Sequence, residues 1–114
     1  MIFVNVNTTW RQVPTGRMTA AESTLGRWYQ VPDHRIEEYG DVIAGVYQGR
    51  IVSAFEIGDF TRANDERVTF SGTPSTQWSH LIGTAAPNPW LPGQARPVKY
   101  FESEHLKTPG EAAA

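Results

Sequence analysis

The stretch GDVIAGVYQGRIVSAFEIGDF, residues 40–60, decides the fold of this chain. It holds two apolar runs, residues 42–47 and 51–57, which are rich in β-branched and aromatic side chains and are separated by Gln48 and Gly49. Such runs are typical of β-strands, and a glycine at the second turn position supplies the positive φ that a tight hairpin requires. The stretch therefore predicts a β-hairpin in which Tyr47 faces Arg50.

The two faces of the second predicted strand differ in character. Strict alternation gives one plainly apolar face, formed by Ile51, Ser53, Phe55 and Ile57. The opposite face, which starts at Val52, is small and mixed. The hairpin is therefore expected at the centre of a sheet that is covered on one side and partly covered on the other.

Shorter patterns on either side of the hairpin predict further strands. Residues 1–6 alternate Ile2, Val4 and Val6 against Phe3 and Asn5, and residues 67–71 alternate Val68 and Phe70 in the same way. Residues 97–101 are expected to form a last strand, and Pro97 at its start indicates an edge position or the entrance to a strand, because proline cannot donate to a sheet ladder.

Helix signals lie between these strands. Thr19 and Glu22 have the spacing of a capping box, in which the hydroxyl and the carboxylate each accept a backbone N–H at the start of a helix. Asp33 is expected to cap a second short helix that ends at Gly40, and Thr73 to cap a helical turn that contains Trp78. The predicted fold is a small α+β domain with a strongly bent or barrel-like sheet.

Composition limits the classes of function. The chain has 114 residues, which fits one domain, expected over residues 1–108 with a disordered tail at residues 109–114. Ten Lys and Arg against 12 Asp and Glu give a net charge of −2, which argues against tight binding to long nucleic acid.

The absence of cysteine excludes disulfides, thiolate metal sites and a cysteine nucleophile. No leader and no apolar run of membrane length is seen, so a cytoplasmic protein is expected.

Several motifs together resemble the PUA-like superfamily, and most of all its EVE branch, which is related to the YTH readers. They are MIFVNVNTTW at residues 1–10, GRWYQV at residues 26–31, and YGDVIAGVYQGRIVSAFEI at residues 39–57. The segment ARPVKY at residues 95–100 is similar to the final strand of such domains. The chain departs from the family after Trp28, where Tyr29 and Gln30 stand in place of a Gly-Val pair.

The resemblance implies a non-catalytic binding module with a pocket for a nucleobase or nucleotide, often a modified base, free or as one extruded nucleotide of DNA or RNA. The expected aromatic walls are Trp10, Trp28, Tyr29 and Trp90. Asn7 and Thr8 would read the base edge, because amides and hydroxyls match its donors and acceptors. Arg27 or Arg35 would contact a phosphate. No metal or cofactor is expected.

Two other interpretations stay open. In the first, the chain is an interaction or accessory protein without a small-molecule site, and residues 78–90 contact a protein partner or a second copy. In the second, it is a small hydrolase acting on nucleotides, with His34 or His80 as base. The sequence has no metal-binding histidine spacing, phosphate loop or nucleophile elbow, which argues against catalysis.

Arg62 and Arg67 lie among acidic residues and are expected in a salt-bridged loop.

Overall fold

A five-stranded mixed sheet is built around the predicted hairpin. The computed structural model describes residues 1–87, 90 and 97–102. Its strands are β1 (Ile2–Asn5), β2 (Val42–Tyr47), β3 (Arg50–Arg62), β4 (Val68–Pro74) and β5 (Val98–Tyr100). Their order is β4-β3-β2-β1-β5, with β1 and β2 parallel and the other neighbouring pairs antiparallel. The edge position predicted for the last strand is confirmed.

Two short helices and two single 3₁₀ turns complete the described chain, which is a small α+β domain as predicted. The helices are α1 (Ala20–Leu25) and α2 (Asp33–Tyr39), and the 3₁₀ turns are Trp10–Gln12 and Ser79–Leu81. No helix among the described residues has the length and apolar character needed to cross a membrane. The predicted tail at residues 109–114, and residues 88–96 apart from Trp90, lie outside the described residues.

The hairpin between β2 and β3 has the predicted turn. Gln48 and Gly49 both have positive φ, at 50° and 79°, which is the conformation of a tight two-residue hairpin loop. Tyr47 pairs with Arg50, as predicted. β3 continues beyond the predicted strand and pairs with β4 as far as Arg62, so the sheet is longer here than the apolar pattern indicates.

A β-bulge corrects the predicted faces of β3. Gly45 pairs with Ser53 but Val46 pairs with Ile51, so Val52 is an extra residue on β3. Ile51 consequently packs on the side of the sheet away from the helices, and Val52 packs on the helix side. The prediction that Ile51 shares a face with Phe55 is therefore wrong, because strict alternation does not hold through a bulge.

The sheet has an apolar core on each side. The helix-side core lies under α1 and α2 and includes Ile2, Val4, Ile43, Phe55, Val68 and Phe70. The second core includes Met1, Phe3, Ala44, Val46, Ile51 and Trp78, all of which are buried. The expectation of a partly covered second face is confirmed, because residues from the β4–β5 connection cover its middle, whereas Thr69 and Ser71 of β4 are exposed.

The helix caps are partly as predicted. The capping box of α1 is confirmed, with Thr19 Oγ1 accepting from the Glu22 N–H at 3.0 Å and Glu22 Oε1 accepting from the Thr19 N–H at 3.1 Å. Asp33 does not cap α2, since it is the first helical residue and its carboxylate pairs with Arg62 instead. Thr73 belongs to β4 and caps nothing, and Ser75 accepts the Trp78 N–H.

Two buried hydroxyls join α1 to the hairpin and thereby fix the segment that follows the helix. Thr24 Oγ1 and Ser53 Oγ lie 2.6 Å apart, and Ser53 Oγ also accepts the Gly45 N–H at 3.2 Å. A Cβ atom at Gly45 would come within 2.5 Å of Ser53 Oγ, so glycine is required for this contact. The chain leaves α1 from a defined position and reaches Trp28 beside β4.

Candidate ligand-binding site

An open cleft of about 1040 Å³ lies where four segments of the chain meet. Its walls come from residues 29–35, Arg62, Glu66 and Tyr100. These residues belong to the α1–α2 connection with the first turn of α2, the end of β3, the β3–β4 turn and β5. We call it the Tyr29 cleft.

Backbone pairing presents Tyr29 to the cleft. The Trp28 N–H donates to the Val68 carbonyl at 2.8 Å and the Val68 N–H donates to the Trp28 carbonyl at 2.9 Å, so this segment lies alongside the first residue of β4. The indole Nε1 of Trp28 donates to the Thr24 carbonyl at 2.9 Å. Val31 is buried, whereas Tyr29 between these anchors is 45% exposed.

A guanidinium group supports the ring of Tyr29. The Arg67 Cζ atom lies 4.1 Å from the ring centroid, within the range of a cation–π contact. Asp65 holds Arg67 in place, with its Oδ2 3.6 Å from Arg67 Nε and its Oδ1 accepting the Arg67 backbone N–H at 3.1 Å. The ring is thus ordered by one contact and still presents a large area to solvent.

Arg62 connects three segments of the cleft wall through hydrogen bonds. Its guanidinium donates to the Val31 carbonyl at 2.8 Å, to the Asp33 carboxylate and to the Glu66 carbonyl. The Glu66 carboxylate adds an ion pair at 3.8 Å. The ion pairs predicted for Arg62 and Arg67 are confirmed, but Arg62 is the last residue of β3 and does not lie in a loop.

Arg35 lies against two tyrosines at the other end of the cleft. Its Cζ atom is 5.4 Å from the Tyr100 ring centroid and 5.8 Å from that of Tyr39, and these two rings are 5.3 Å apart. Burial and the nearby Glu38 carboxylate raise the pKa of the Tyr39 phenol, so this group is neutral at physiological pH. Arg35 contacts Glu38 at 3.6 Å and has N–H donors beyond that contact.

A second, smaller cleft of about 190 Å³ lies at the ends of β1 and β2. It is lined by Asn5, Asn7, Val46, Gln48, Gly49 and Trp90. Because β1 and β2 are parallel, their carboxyl ends meet here. Asn7 Oδ1 accepts the Gln48 N–H at 2.8 Å and Asn5 Oδ1 accepts the Asn7 N–H at 2.9 Å, so both amides support the hairpin turn.

The structure distributes the eight predicted site residues over several places. Tyr29 and Arg35 line the Tyr29 cleft, and Asn7 and Trp90 line the smaller cleft. The others lie elsewhere: Trp10 and Trp28 pack against the helix-side core, Arg27 borders an apolar groove between α1 and β4, and Thr8 is exposed. Their roles in binding stay predictions.

Sequence analysis did not assign to the site several other residues that line the Tyr29 cleft, among them Gln30, Arg62 and Tyr100. Gln30 follows a predicted pocket aromatic directly, which is a usable local signal. Arg62 and Tyr100 come from distant segments, and nothing in their local sequence places them beside Tyr29.

The two histidines considered as bases are in different environments. His34 is exposed at the Tyr29 cleft, whereas the ring of His80 lies 5.9 Å from that of Trp78 on the second core. Within residues 1–87, 90 and 97–102, no three His, Asp or Glu side chains are grouped so that they could hold a metal ion.

We compared the chain with protein-family models, curated proteins and solved structures. No family model, curated protein or solved structure matches it significantly.

Proposed function

We propose that this chain is a PUA-like, EVE-related binding module that holds a nucleobase or nucleotide, free or extruded from DNA or RNA, in the Tyr29 cleft without catalysis. The observation that carries the proposal is the exposed ring of Tyr29, supported by Arg67 at 4.1 Å and facing an open cleft. Stacking of a base on an aromatic side chain contributes about 1–3 kcal/mol.

Polar groups elsewhere on the cleft wall add directional contacts. The carboxamide of Gln30 and the guanidinium of Arg35 both line the cleft. They supply donors, and Gln30 also supplies an acceptor, for the edge of a base or for a sugar or phosphate. A platform with donors and acceptors at its rim is the arrangement that proteins use to hold single unstacked bases.

The charges of the cleft favour the base over the phosphate as the source of affinity. Arg62 and Arg67 are paired with Asp33, Glu66 and Asp65, and Arg35 is close to Glu38. Neutralised guanidinium groups attract a phosphate weakly, so we expect binding to depend little on salt. This agrees with the net charge of −2, which disfavours a long duplex.

A thermal-shift screen tests the proposal. The panel contains nucleobases, nucleosides and nucleotides, including methylated and hydroxymethylated forms, with ribose 5-phosphate as the control that lacks a base. A ligand present at 100 times its Kd stabilises the native state by about 2.7 kcal/mol, so the melting temperature should rise by roughly 10 °C. If no compound with a base raises it, the proposal is wrong and the interaction-protein alternative gains support.

A further inference from the structure

Gln30 has an unusual backbone conformation for its residue type. Its φ is 57°, in the left-handed region that glycine, asparagine and aspartate adopt more readily than other residues. Among the described residues, Gln48 and Glu66 also have positive φ without being glycine. Gln48 occupies the β2–β3 hairpin turn and Glu66 the β3–β4 turn, where hairpin geometry requires this conformation. Gln30 lies in no hairpin.

The conformation of Gln30 places its side chain at the cleft. The chain changes direction between Trp28, which pairs with Val68, and Val31, which is buried. Tyr29 and Gln30 are consequently both exposed on the wall of the Tyr29 cleft. A glycine would make this bend with less strain, so the presence of a long carboxamide here is a reason to look for a role.

The carboxamide of Gln30 is available to a ligand. It makes no hydrogen bond to any residue that the structure describes, whereas the side chains of Asn5 and Asn7 are engaged by backbone N–H groups. A carboxamide offers two N–H donors and one acceptor oxygen in a single plane. It can therefore form two parallel hydrogen bonds with a partner that has a neighbouring donor and acceptor.

We infer that Gln30 is a specificity-determining residue, whose carboxamide binds the donor–acceptor edge of a base stacked on Tyr29. The inference rests on the proposed function. A base edge that pairs with a carboxamide through two hydrogen bonds is distinguished from the wrong edge by about 5- to 150-fold. The ligand class is thus a base that keeps a donor and an acceptor side by side on one edge.

Bases that lack one partner on this edge are bound weakly. Purine riboside has no exocyclic amino group and cannot donate as adenosine does, and 3-methyluridine has lost the ring N–H of uridine. Either change leaves the oxygen of the Gln30 amide without a donor from the base, which reduces affinity.

Two substitutions separate the roles of the backbone and the side chain at this position. Q30G removes the carboxamide and suits the left-handed conformation, so the melting temperature should not fall. Q30E keeps the length of the side chain but removes its donors at neutral pH. Q77G is the matched control, because Gln77 is also exposed but is not among the residues that line the Tyr29 cleft.

The experiment is calorimetric titration of the full chain with adenosine, purine riboside, uridine and 3-methyluridine. For the wild type, the intact nucleoside of at least one pair should bind about tenfold more tightly than its altered form. Q30G should bring that ratio to within about twofold, as expected when the paired edge is lost. Q30E keeps an acceptor for the base N–H that purine riboside and 3-methyluridine lack, so it should retain the preference for the intact nucleoside, and Q77G should leave the ratio unchanged.

The outcomes distinguish this inference from the proposed function. If nucleosides bind and the ratio is the same in Q30G as in the wild type, Gln30 does not determine specificity, while the base-binding function stands. If the wild type binds none of the four nucleosides, the inference is overturned, and the proposed function falls with it when the thermal-shift panel shows no ligand either. A marked fall in the melting temperature of Q30G would contradict the argument that glycine suits this backbone position.

Discussion

Replacing Tyr29 with alanine is expected to weaken nucleoside binding by about tenfold or more, because the stacking platform of the cleft is lost. The fold should be unaffected, since the ring is 45% exposed and its described ring contact is with the Arg67 guanidinium. Calorimetric titration with the nucleoside that gives the largest thermal shift measures the change in Kd.

Two control variants make this result specific. Tyr29→Phe keeps the ring and removes the hydroxyl, so its affinity should stay within about threefold of the wild type if stacking dominates. Ile82→Ala removes another exposed apolar side chain, 47% exposed, from the segment that the interaction-protein alternative uses. If Ile82→Ala weakens binding and Tyr29→Ala does not, the ligand site is elsewhere.

Replacing Phe3 with alanine is expected to lower the free energy of unfolding by about 3–5 kcal/mol. Phe3 is 1% exposed on β1, and its ring packs edge-to-face on Phe101 with the centroids 6.1 Å apart. Small domains are stabilised by roughly 5–15 kcal/mol, so much of the stability would be lost. Chemical denaturation, with the melting temperature as a second measure, tests this.

Phe3→Leu is the matched control for the second core. It keeps most of the apolar volume and should cost less than about 1.5 kcal/mol. A loss below about 1 kcal/mol for Phe3→Ala would be too small for a packed core residue. It would mean that the second core is not closed over Phe3.

Much of the fold follows from local sequence rules. The hairpin follows from two apolar runs around Gln48-Gly49, α1 from the Thr19 capping box, and the edge position of β5 from Pro97. Each of these signals acts over a few residues, so a single sequence reveals it.

The errors arise where distant residues compete with a local rule. Aspartate is a residue type that often caps helices, but the carboxylate of Asp33 instead accepts a hydrogen bond from Arg62, which is 29 residues away in sequence. The bulge at Val52 depends on how β3 pairs with β2, and its position is not visible in the alternation of apolar residues. A single register shift then moves Ile51 to the other core.

The candidate site shows the same limit more strongly. The family resemblance predicts Tyr29 as an aromatic wall and Arg35 as a phosphate contact, but the cleft also needs Arg62 and Tyr100 from other strands. Trp28 was predicted to line the pocket, but its indole N–H donates a hydrogen bond to the Thr24 carbonyl and its ring packs against the helix-side core. Tertiary contacts thus leave the neighbouring tyrosine as the exposed ring.

The most direct test of the central claim is an NMR titration of the ¹⁵N-labelled chain with adenosine and with uridine. The account predicts that the largest amide shift changes fall on Tyr29, Gln30, Val31 and residues 33–35, with smaller changes at Glu66 and Arg67 across the cleft. Shift changes centred on residues 5–7 and 48–49, or on residues 78–82, would contradict the assignment of the base to the Tyr29 cleft.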